Sequence, residues 1–187
     1  MRNIITGQIL LIVCCVFYLI WWYRGFRPGA SVNRVGGLNG VLLLITAAAG
    51  LAGITFSLLP VKEKTITGKL NPFHILIGGI AAYIILLFAT KLIWNRVVTM
   101  ELLLIVGWAT LEITVINRLN AIGALTDGGF LMMCFVTGIA FVISMILYVA
   151  YYRMEEMKAF YAAMVPLITE AASMAILIVA ALILNPQ

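Results

Sequence analysis

Four ionisable side chains, Lys91, Glu101, Glu112 and Glu170, lie inside long apolar stretches of this 187-residue chain. In a bilayer each would cost about 2.5–3.5 kcal/mol to insert, so each needs a partner or a purpose. Glu112 and Glu170 have no sequence-local cation. A carboxyl group so placed can bind a proton, a cation or a hydrogen-bond donor on a substrate, or serve as acid and base in an intramembrane enzyme. Lys91 and Glu101 flank a short turn between two runs. Those runs must be antiparallel neighbours, so a structural ion pair between Lys91 and Glu101 is expected. Trp108 and Glu112 lie seven and eleven residues after Glu101, offsets that return to one face of a helix. The polar stripe so formed reads as a solute path or a packing seam, with Trp108 and Tyr83 as wall residues of a binding site. Pro166, four residues before Glu170, removes a backbone hydrogen bond and shapes the helix beside the carboxyl group. Gln8, Thr55, Ser57, Tyr83, Thr90, Thr110, Thr137, Ser144, Thr169 and Ser173 are the neutral polar groups within the runs; most can bond their own helix backbone, and as a set they can also line a cavity for a small polar solute.

Other chemistries lack their residues. Cys14, Cys15 and Cys134 sit in apolar runs as small hydrophobes, and no CxxC spacing exists. The single histidine, His74, leaves Cys/His metal sites and bis-histidine haem ligation without ligands. No metal site and no cofactor are expected. Glu155-Glu156 has the form of a paired-glutamate intramembrane protease site, but no histidine follows it. It reads as a charged turn with Arg153 and Lys158 as local partners.

The elements that carry these residues follow from composition. The chain is 64% apolar and 10% charged, with mean hydropathy +1.14. An average soluble domain is about 45–50% apolar and about 25% charged, so the excess apolar surface must face lipid. Soluble enzymes, nucleic-acid modules and disulfide scaffolds are thereby excluded. The +5 net charge sets orientation in a membrane; no nucleic-acid partner is expected. A hydrocarbon core needs about 20 apolar residues per helix. Six runs qualify, at about 4–23, 38–59, 73–94, 98–117, 129–151 and 160–184. Turn chemistry separates them, with Arg27-Pro28-Gly29, Pro60, Asn71-Pro72 and Asp127-Gly128-Gly129 at the breaks and Asn185-Pro186 at the end. The expected fold is all-α, a single domain over 1–187: six transmembrane helices with short loops and both termini on one side.

The side holding the first, third and fifth loops carries Arg24, Arg27, Arg34, Lys91, Arg96, Arg153 and Lys158. The terminal side carries Arg2, Lys62, Lys64, Lys69 and Arg118. This bias of seven to five leans toward non-cytoplasmic termini in the cell membrane. Trp21, Trp22, Tyr23, Trp94, Tyr148, Tyr151, Tyr152, Phe160 and Tyr161 gather on the odd-loop side as an interfacial belt.

Ala48 with Ala52, and Ala49 with Gly53, are small residues four apart in the second run. They suit close helix packing, within the chain or against a second copy or partner subunit. The function expected from these residues is a small transporter, channel or solute-binding transport subunit. Glu112 and Glu170 would meet a small polar solute, a proton or a cation. The rival expectations are a non-catalytic membrane partner or sensor, and an intramembrane lipid-modifying enzyme with basic residues holding an anionic head group.

Overall fold

The computed structural model describes residues 1–29, 36–59, 68–95 and 99–183. Arg34, Pro60, Lys62, Lys64, Arg96 and the stop at residues 185 and 186 lie outside the described residues. Seven α-helices form in the order α1 (Arg2–Phe26), α2 (Leu38–Leu58), α3 (Pro72–Leu92), α4 (Met100–Ala121), α5 (Asp127–Ala150), α6 (Glu156–Ala162) and α7 (Val165–Ile183). A short 3₁₀ turn, Tyr151–Arg153, follows α5. Taking α6 and α7 as one span, six helices are long and apolar enough to cross a membrane. The fold is an all-α six-span bundle.

Local chemistry fixes the helix ends. The Asn71 side chain accepts from the Phe73 amide at 2.9 Å, with Pro72 at the first helical position of α3. Thr126 caps α5 by accepting from the Gly129 amide at 3.1 Å, so that helix starts two residues earlier than the apolar run suggests. Gly123, at φ +75°, stops α4 as the amides of Ala124 and Leu125 turn back onto the Leu119 carbonyl. The sixth run is not one helix over 160–184. It breaks at Ala163 and Met164, because Pro166 has no amide proton and its ring excludes the carbonyl four residues earlier. The run resumes as α7, with the proline in its first turn.

Packing follows the order α2–α1–α7–α5–α4–α3, which leaves α2 and α3 at the two ends with no substantial contact between them. Small residues make the α1–α2 seam. A side chain at Gly7 would collide with Ser57, and one at Gly53 with Leu11. Part of the small-residue face of α2 is therefore spent inside the chain, whereas Ala48 stays exposed. Gly79 brings α3 against Thr110 of α4 in the same way. Asn117 and Arg118 tie down the loop end of both outer helices. Asn117 accepts from the Leu70 amide at 2.9 Å and donates to the Leu70 carbonyl at 2.8 Å. Arg118 donates to the carbonyls of Ser57 and Leu59, the last acceptors of α2.

Two apolar clusters hold the interior. One joins Ile4, Ile116, Met133 and Leu177 from α1, α4, α5 and α7. The other joins Leu102, Ile105, Val106, Met145 and Tyr148 of α4 and α5, with α3 packed against it. Ile4 and Ala181 share the first cluster, which puts both ends of the described chain on one side.

Candidate functional site

The gap between α2 and α3 is a cleft of about 1120 Å³. α1, α4 and α7 form its floor, and its surface is overwhelmingly apolar. Leu51, Leu58, Leu76, Ile80 and Leu104 line it and are exposed, so it opens sideways, toward lipid, between the two outer helices. Glu170 enters this apolar wall from α7, one turn after Pro166, which also lines the cleft.

Glu170 is buried, with 7% of its surface accessible, and lies close to Ser144 of α5 and Cys15 of α1. Trp108 and Tyr83 also line the cleft, and the Trp108 indole N–H has no hydrogen-bond partner. The two wall residues named from sequence thus share one space with Glu170.

Glu112 does not line that cleft. It is fully buried beneath α1, where the Gln8 amide lies close to it, yet no hydrogen bond of good geometry joins the two. The stripe Glu101–Trp108–Glu112 is therefore divided by a neighbour. Its first two members border the cleft, and α1 crosses over the third. Glu112 and Glu170 remain within electrostatic range of each other across the interior.

Glu101 sits at the other end of the cleft, where it accepts hydrogen bonds from the Tyr151 hydroxyl at 2.8 and 3.0 Å and from Thr99 Oγ1 at 3.2 Å. No ion pair joins it to Lys91 among the described residues, and Lys91 lies exposed in the last turn of α3. The Tyr151 phenol takes the place foreseen for the lysine, because the 3₁₀ turn after α5 swings it across to α4 while Lys91 reaches outward. The aromatic end of the bundle continues through Tyr23 with Phe160 at 5.9 Å and Trp22 stacked on Phe26 at 4.3 Å.

His74 is exposed at the start of α3. No group of three His, Cys, Asp or Glu side chains is brought together among the described residues. Sequence reasoning identified Gln8 and Ser144 as polar groups but not as neighbours of Glu112 and Glu170. The signal was present in type alone, since the helix order that joins α1 to α7 and α7 to α5 is not written in apolar periodicity. No family model, no curated protein and no solved structure matches the chain.

Proposed function

We propose that this multi-pass membrane protein takes an amphiphilic, lipid-like molecule into the cleft between α2 and α3, acting as a small transporter or solute-binding transport subunit. One observation carries the reading: the Glu170 carboxyl group stands in the wall of a large, laterally open, apolar cleft, while Glu101 is bound to Tyr151 at the far end. An apolar body would fill the space against Leu76 and Ile80, and Glu170, Tyr83 and Trp108 would hold the polar end. The apolar lining favours this class over a small polar solute. It also favours a carrier over an enzyme, because Glu112 does not line the cleft and Glu101, which does, is held by Tyr151 and Thr99 at the far end from Glu170, so the two carboxyl groups are not placed as a paired acid and base. We place the protein in the cell membrane with its termini on the non-cytoplasmic side, from the seven-to-five distribution of basic residues. A second copy or partner subunit would meet the exposed part of α2 around Ala48.

The test is the lipid that travels with the purified protein. Wild type, Ile80→Trp and Glu170→Gln are purified from one membrane, and their bound lipids are extracted and compared by mass spectrometry. The reading expects wild type to enrich one class of amphiphile. Ile80→Trp, which fills the opening, should lose it. Glu170→Gln should keep its fold and lose the preference. Bulk membrane composition in wild type, unchanged by either substitution, refutes the proposal.

A further inference from the structure

The interior carries a second polar feature, separate from the cleft. Ile4, Ile116, Met133 and Leu177 meet in one apolar cluster, each from a different helix. One helical turn further toward the opposite end of the bundle, each of these helices presents a polar residue. They are Gln8 on α1, Glu112 on α4, Thr137 on α5 and Ser173 on α7. The offset is four residues in all four cases, forward on α1 and α5 and backward on α4 and α7, as their antiparallel directions require. The four therefore form one layer.

None of them is more than 2% exposed. Both ends of the Gln8 amide, both Glu112 oxygens, and the hydroxyls of Thr137 and Ser173 lack hydrogen-bond partners. Four helices that each bury an unmet polar group at the same level do not form an ordinary packing seam. Buried polar groups normally find partners, and a half-satisfied layer is worse than an apolar one. What the layer lacks is positive charge. It offers five oxygens, two from Glu112 and one each from Gln8, Thr137 and Ser173, and its donors, one amide NH₂ and two hydroxyls, are all neutral.

We propose that the Gln8–Glu112–Thr137–Ser173 layer binds a small monovalent alkali cation. Carboxylate, carbonyl and hydroxyl oxygens are the ligands that hard cations take. One carboxyl group in the layer matches one positive charge; a divalent ion would leave the layer charged in a low-dielectric interior. Ions bound near the bilayer midplane by polar groups from several helices recur in secondary transporters. The proposal does not depend on what fills the cleft. Electrostatic contact between Glu112 and Glu170 would let the ion influence that site.

Thermal unfolding of the purified full chain tests it. Lithium, sodium or potassium chloride is titrated against N-methyl-D-glucamine chloride at constant ionic strength. At least one alkali ion should raise the apparent Tm saturably, by roughly 5–10 °C at a hundredfold excess over its Kd. Glu112→Gln should abolish that shift. Should Glu112→Gln fail to fold, Thr137→Val, which keeps the shape and removes one oxygen, should move the titration midpoint at least tenfold. A Tm equal in all four salts overturns the proposal, as would be the case for a layer that holds only water. An alkali shift that survives unchanged in Thr137→Val and Ser173→Ala also overturns it.

Discussion

Gly79→Ala probes how α3 is held. The new methyl group would meet Thr110 Oγ1, Cγ2 at 2.8 Å and Cβ at 3.1 Å. Thr110 cannot easily yield, because its hydroxyl already donates to the Val106 carbonyl at 2.7 Å. Relief must therefore come from α3 moving outward. That helix is the softer partner, since only Ile75 and Thr90 of its residues are buried and α4 is its principal neighbour. Overpacking of this kind costs about 1–3 kcal/mol. The helix itself survives undocking, because lipid offers its backbone no alternative partners, so the gain in helix propensity from alanine does not offset the cost. The undocked population should rise roughly 5- to 150-fold. Ile75, one turn away on the same face, supplies the reporter. In a background with Cys14, Cys15 and Cys134 replaced by alanine, Ile75→Cys is labelled by a membrane-permeant maleimide only while α3 is undocked. With redocking faster than labelling, the rate reads that population directly. Gly79→Ala should accelerate labelling by the factor above. Adding Thr110→Ala should reverse most of the effect, because it removes both of the nearest atoms. Equal rates in wild type and Gly79→Ala, or a double variant as fast as the single one, would refute the argument.

Asn117→Leu strips both Asn117 bonds from the backbone of the exposed Leu70 and should lower stability by about 0.5–1.5 kcal/mol for each bond lost, read as a fall in apparent Tm. Tyr151→Phe removes the hydroxyl that lies within hydrogen-bond reach of both Glu101 oxygens; it should cost about 1–3 kcal/mol, and adding Glu101→Leu should recover part of that. Pro166→Ala should let α6 and α7 run together, with the amide restored at position 166 bonded to the Ala162 carbonyl and protected from hydrogen exchange by at least about tenfold over an unbonded amide; an unprotected amide there would remove proline as the cause of the break. Asp127→Asn breaks a 2.8 Å pair with Lys69 whose aspartate is 78% exposed, and should change stability by less than about 0.5 kcal/mol. Glu112→Leu, measured without alkali cations, should be neutral or stabilising by about 1–4 kcal/mol, because it replaces unmet oxygens with apolar contact.

The number of spans was legible because a bilayer makes length and apolarity decisive, and the start of α3 was legible from Asn71-Pro72, whereas Asp127-Gly128-Gly129, read as a break, lies inside the first turn of α5. Both acids singled out from the apolar runs, Glu112 and Glu170, are buried within the bundle. Lateral neighbours were not legible. Apolar periodicity is weak when lipid covers the outer face, as on α3, where Leu76, Ile80, Ile84, Ile85 and Phe88 are all exposed. The sequence could thus put Glu112 and Glu170 at nearby depths without showing that α1 covers one and the cleft receives the other. The same gap explains Glu101. A lysine at matching depth was the obvious partner, but a tyrosine thirty-odd residues beyond α4 (Tyr151) arrives through helix packing that no local pattern encodes.

A gap between two leucine-rich helices has a different meaning in lipid than in water. In water, α2 and α3 would close over the exposed Leu51, Leu58, Leu76 and Ile80, because burying such side chains is worth about 1.5–3 kcal/mol each. In a bilayer the tails on either side are as apolar as the leucines, so no comparable force draws the two helices together. The anchors at Gly7, Gly79, Asn117 and Arg118 hold α2 and α3 to the bundle and not to each other. The cleft can therefore stay open at little cost, and apolar contact alone gives it little power to choose among lipid-like occupants. Discrimination must come from the few polar atoms in its wall. Of these, Glu170 carries an insertion cost of about 2.5–3.5 kcal/mol and has the neutral Ser144 beside it, so a polar group on the occupant gains most where it meets this carboxyl group.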